Sequence, residues 1–214
     1  MKFPILLSLF GLFLLTSCTS SRVIRPLEKK QTAFGADVSL LSTSPTAPII
    51  NIQLAHGLSK STTFYSGINF SSIFTGVFMA DLGFLYGLWH PKAWRPGCSI
   101  SPRISGHFSS HYSVLTAIQP EADLNLYWEY LNREKSAKNF LFLNIRNWFE
   151  VEKGRKFLPN GYRPIISFGH RWQTEKMQLG VEARYMHGNF DAANYDVGNA
   201  NNTLGMMFTV VRLF

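Results

Sequence analysis

Cysteine is scarce in this chain: 214 residues hold only Cys18 and Cys98. A disulfide framework is therefore excluded as the main source of stability. Charge is scarce too, with Lys, Arg, Asp and Glu making up 16% of the residues against about 25% in soluble domains. What charge there is leans basic, at a formal +8, yet no Lys/Arg block exceeds a pair. A nucleic-acid partner is not expected, and the excess suits an anionic membrane surface better. Beyond the N-terminus no stretch keeps a helical period, and no internal repeat or low-complexity segment appears. Aromatic residues, by contrast, are plentiful at 14%.

The N-terminus has the layout of a secretory signal, with Lys2, an apolar segment over residues 3–15, then Thr16 and Ser17. As a helix that segment would rise about 20 Å, short of the ~30 Å bilayer core, so a retained helical anchor is not expected. Leu15-Thr16-Ser17-Cys18 resembles the lipobox of bacterial lipoproteins. The resemblance implies cleavage before Cys18 and its acylation, with palmitate-type chains, by the lipoprotein maturation machinery. Several acyl chains anchor stably where one does not. Thr19 stands where an Asp would favour inner-membrane retention, and residues 19–24 lack an acidic cluster. Sorting to the periplasmic leaflet of the outer membrane is the expectation. Residues 1–17 then form the signal peptide, 18–31 a lipidated polar tether with Arg22, Arg25, Pro26, Lys29 and Lys30, and 32–214 the folded domain.

In that domain the dominant period is two. Ile50, Ile52 and Leu54 oppose Asn51 and Gln53; Phe64, Ile68 and Phe70 oppose Tyr65, Gly67 and Asn69. Leu124, Leu126, Trp128 and Tyr130 oppose Asp123, Asn125, Tyr127 and Glu129, and Met177 through Tyr185 alternates in the same way. Such alternation predicts strands with one apolar and one polar face. About ten are expected, at 33–41, 48–55, 62–70, 76–87, 98–108, 119–130, 139–150, 162–172, 176–186 and 203–213. Several approach the 9–11 residues that cross a membrane when tilted. The fold class expected is all-β, an antiparallel up-and-down membrane β-barrel of about ten strands, with eight possible. The connections 56–61, 131–137 and 173–176 are short and charged, while 187–202 is long, the asymmetry of outer-membrane barrels.

The chain ends TLGMMFTVVRLF. Thr203, Gly205, Phe208, Val210 and the terminal Phe214 resemble the C-terminal signal read by the outer-membrane barrel assembly machinery, with a departure at Arg212, where an apolar residue is usual. From the lipobox through RPLEKK (25–30) and HGLSKSTTFYSGIN (56–69) to Phe214, the chain resembles the outer-membrane β-barrel lipoproteins of diderm bacteria. The resemblance implies a fold, membrane lipids as surroundings and a sorting route. It implies no activity.

The polar faces carry Asp37, Asp81, Asp123, Glu129, Glu150 and Glu182 against Arg103, Arg146, Arg163, Arg171 and Arg184. Near-balance suits a narrow interior plugged by ion pairs; a charged substrate channel is the alternative. Aromatic girdles are expected from Trp89, Trp94, Trp128, Tyr130, Trp172 and Phe214 at the periplasmic interface. Phe74, Phe108, Tyr112, Trp148, Tyr162 and Tyr185 would form the outer one.

Chemistry is less legible. His107 and His111 are four apart, but they fall at a strand end or loop and no third ligand is evident, so neither metal nor cofactor is expected. YMHGNFDAANYD (185–196) faintly resembles the outer-membrane lipid A deacylases. His187 matches their histidine, but Asn189 stands where the serine nucleophile would be and no Glu follows Glu182. Two of three catalytic roles are vacant. The leading expectation is a lipid-anchored barrel with a plugged interior and a structural or interaction role. A lipid-modifying enzyme and a soluble lipocalin-like lipoprotein are the alternatives.

Overall fold

The computed structural model describes residues 22–41, 44–74, 77–92, 94–109, 117–131, 138–148, 165–186 and 203–214. Ten antiparallel strands follow one another around a closed barrel. They are β1 (Thr32–Leu41), β2 (Ser44–Gly57), β3 (Thr62–Asn69), β4 (Val77–Trp89), β5 (Gly97–Ser109), β6 (Ala117–Leu131), β7 (Lys138–Trp148), β8 (Ile165–Gln173), β9 (Met177–Met186) and β10 (Thr203–Leu213). All ten expected strands are present, most ending within a few residues of the expected bounds. One helical turn, α1 (Phe70–Ile73), follows β3. There the Asn69 side chain accepts the Ser72 backbone N–H at 2.9 Å and caps the turn. It ends β3 after eight residues, the shortest of the strands.

Each strand pairs with its sequence neighbours, and β1 with β10 closes the ring in register from Ala33↔Leu213 to Leu41↔Gly205. The seam is completed by Thr32 and Phe214, which exchange backbone hydrogen bonds at 3.1 and 2.8 Å. Closure removes the edge strands that would otherwise seek partners. The end of the barrel that holds Thr32 and Phe214 is called proximal below. Its described turns, 58–61 and 174–176, are short, and the strand ends that flank 149–164 and 187–202, the longest stretches between strands, lie at the distal end.

The period of two sorts side chains cleanly. Along β10, Met207, Thr209, Val211 and Leu213 are buried inside, while Leu204, Met206, Phe208, Val210 and Arg212 are exposed outside. The outer face of the described strands carries no Asp, Glu or Lys. Its basic groups are His56, His170 and Arg212, all near the proximal edge. Large apolar side chains such as Phe34, Leu54, Leu82, Ile104, Phe168 and Leu179 stand exposed around its circumference. Water does not tolerate a continuous belt of this kind on a monomer.

Candidate functional site, a plugged and ion-paired lumen

Barrels of about eight strands can be filled by their own inward side chains. Ten enclose more space, and this chain fills the remainder with a segment of itself. Residues 22–31, expected to be a polar tether, run inside the barrel and out at the proximal rim. Arg22 and Ile24 are only 5% and 3% exposed. The proximal half of the lumen is apolar, with Ala33, Ala55, Tyr65, Leu85, Val211 and Leu213 forming one cluster against which Val23 and Leu27 pack. Ile24 joins a second cluster with Tyr127, Phe140 and Phe142. Burying these apolar faces supplies the drive for insertion. A cavity of about 30 Å³ remains between segment and wall, room for about one water.

Polar contacts fix the segment along its length. The Arg22 guanidinium pairs with the buried Asp81 carboxylate and donates to the Ile52 carbonyl at 3.1 Å. Gly67 makes room for it, since a Cβ there would overlap the guanidinium. The Ser99 hydroxyl donates to the Ile24 carbonyl at 2.6 Å and accepts from Asn125 at 3.0 Å. Asn125 in turn accepts from Asn144 at 2.8 Å. Arg25 donates to Glu129 at 2.8 Å and to Gln173 at 2.9 Å, spanning the mouth. The Leu27 N–H donates to Thr63 Oγ1 at 2.9 Å. Where the segment turns into β1, Lys30 takes a φ of 70°, and its N–H donates to the Gly57 carbonyl at 2.8 Å.

Beyond the plug the lumen is ionic. Arg103 and Glu121 are direct cross-strand partners; the arginine's Nε donates to the carboxylate at 2.7 Å, and the Ser105 hydroxyl adds a bond at 2.5 Å. Arg146 forks onto Asp123, its own cross-strand partner, at 2.9 and 3.3 Å, with Glu121 at 3.9 Å. On β8 and β9, Glu182 lies between Arg171 at 3.5 Å and Arg184 at 2.9 Å. Arg171 also stacks over Phe142, 5.3 Å from the ring centre. Asp37 accepts from Asn51 at 2.7 Å. Among the described residues the buried charges are five arginines and five carboxylates. An unpaired charge here would be costly, and balance removes that cost.

Of the expected interior set, Asp37, Asp81, Arg103, Asp123, Arg146, Arg171, Glu182 and Arg184 are buried inside. Glu129 also points inward, but it is exposed at the mouth of the lumen rather than buried in the interior, where β6 nears its proximal end, and it pairs with Arg25 of the plug. Glu150 and Arg163 lie outside the described residues. Arg22 and Glu121 complete the network and were not expected in it. Of the C-terminal residues, Phe208, Val210 and Phe214 face outward and Gly205 lies half-buried on the inward row. Trp89, Trp94, Tyr130, Trp172 and Phe214 are exposed at the proximal end, with Trp128 half-buried among them; Phe74 and Phe108 are exposed at the distal end, with Tyr185 half-buried. Cys18, His111, Tyr112, Tyr162, His187 and Asn189 lie outside the described residues, as do the side chains of His107 and Trp148.

Among the described residues no group of three His, Cys, Asp or Glu could hold a metal. Glu182, the last acid before His187, is committed to Arg171 and Arg184. No protein-family profile and no curated protein sequence matches the chain. Among solved structures, it is similar to the NanC porin at 10% identity, covering 83% of this chain and 98% of that one, with a TM-score of 0.47. It is similar to the outer membrane enzyme PagL at 9% identity, 84% and 97% coverage and a TM-score of 0.36. The N-terminal β-barrel domain of Pseudomonas aeruginosa OprF gives 8%, 88% and 100%, and 0.33.

Proposed function

We propose that the chain is a lipid-anchored outer-membrane β-barrel, closed by its own N-terminal segment, with a structural or interaction role rather than a conducting one. The observation that carries this is the inverted distribution of side chains. Apolar residues form the outer face and paired charges the inner one, the reverse of a water-soluble domain. A lipocalin-like soluble barrel would turn its apolar face inward and present charge to solvent. The exposed aromatics at the two ends have the girdle placement of a membrane barrel. The short turns would face the periplasm. The terminal β10, with Gly205, Phe208, Val210 and Phe214, would be the stretch read by the assembly machinery.

Membrane fractionation with unheated and heated gel lanes tests the reading. The expected result is a urea-resistant membrane protein whose unheated form migrates faster than its heated one. Release by urea with a single migration position would contradict it. Labelled fatty acid should enter the wild type and not Cys18→Ala; equal labelling would remove the lipid anchor from the proposal.

A further inference from the structure

The exposed charges of the described residues lie at one end of this barrel. Among the described residues no Lys, Arg, Asp or Glu is exposed at the distal end, whereas the proximal rim exposes Lys60, Lys92, Arg95, Lys138, Lys176 and Arg212. The acids there are fewer. Glu129 is taken by Arg25, and Glu28 lies 3.8 Å from Lys138, which among the described residues leaves Glu175. Two pairs of these cations stand beside exposed aromatic rings on the rim.

At the β4–β5 turn, Lys92 and Arg95 exchange backbone hydrogen bonds at 3.1 and 3.0 Å and present Trp94, 86% exposed, between them. The turn is braced by the Trp89 indole N–H, which donates to the Pro96 carbonyl at 3.0 Å. At the seam, Arg212 lies 5.0 Å over the Phe214 ring, beside Lys176. Exposed tryptophan and tyrosine mark the level where hydrocarbon meets headgroup. Cations at that level stand opposite lipid phosphates.

We propose that the proximal rim is a binding surface for the headgroups of anionic phospholipids, seated at these two cation–aromatic clusters. The proposal rests on the membrane reading above, because only an inserted barrel holds the rim at phosphate depth. A soluble polyanion would need the cations but not the aromatic rings beside them.

The test uses the full chain reconstituted in phosphatidylcholine vesicles carrying spin-labelled phosphatidylglycerol or spin-labelled phosphatidylcholine. The wild type should hold the anionic probe at least about fivefold more strongly than the neutral one, and the ratio should fall in molar salt. It should approach one in Lys92→Gln/Arg95→Gln/Lys176→Gln/Arg212→Gln. Should that variant fail to fold, Lys92→Gln/Arg95→Gln must still lower the ratio. A ratio near one in the wild type, or unchanged in a folded variant, overturns the proposal. So does binding of soluble polyglutamate without lipid preference. Urea release from the vesicles would instead sink the membrane reading itself.

Discussion

Arg22 carries a guanidinium into a space with almost no water, and Asp81 is what makes that tolerable. Removing one partner of a buried pair leaves the other charge stranded, at a cost of about 3–5 kcal/mol. Arg22→Ala should therefore lower the urea midpoint of the folded barrel sharply, and Arg22→Ala/Asp81→Asn should recover part of the loss. A double variant no better than the single one would mean that the pair is not what holds the segment. Lys30 offers the opposite sign. Its φ of 70° lies in the region that costs an L-residue roughly 1–2 kcal/mol. Lys30→Gly should raise the urea midpoint slightly, whereas a drop would show that the Lys30 side chain outweighs the strain. Arg22 was invisible as an interior residue in the sequence, because its partner is 59 positions away and an isolated extended segment has no period to read. Glu121 was missed for a local reason. It follows Pro120 at the start of the alternation, where its side was easy to leave uncounted; once β6 is set against β5, its pairing with Arg103 follows.

At the scale of elements, the strands were the legible part. Each buries one row, and a slip of one residue would turn Phe208 and Val210 inward and Thr209 outward, so register follows from the alternation itself. The segment 22–31 was not legible. Its Val23, Ile24 and Leu27 are too few to make a pattern, and four basic residues in ten gave it the composition of a solvated tether. Its docking became necessary only when ten strands left a lumen wider than their own side chains fill. The β10 strand carries the next prediction. Deleting Phe214 removes the backbone bonds with Thr32 that close the seam and should reduce the protease-resistant fraction in the outer membrane. Full assembly after loss of 203–214 would contradict a closed ring.

For the whole molecule, two fillings act in series, a largely apolar plug in the proximal half and, beyond it, an ionic network that Arg22 of the plug joins through Asp81. Loss of one inward arginine should destabilise the barrel before it opens a path, since the remaining lumen is still crowded. Arg184→Ala, which takes one of two arginines from Glu182, should lower the urea midpoint without adding conductance. The belt, the girdles and the filling together describe a closed barrel, the basis of the membrane reading proposed above. Conductance of the purified full chain across planar lipid bilayers tests that most directly. Porins of roughly 16–18 strands leave an aqueous channel, whereas a plugged ten-stranded barrel should show no steady, large current. Stable unitary currents of porin size from the wild type would contradict it.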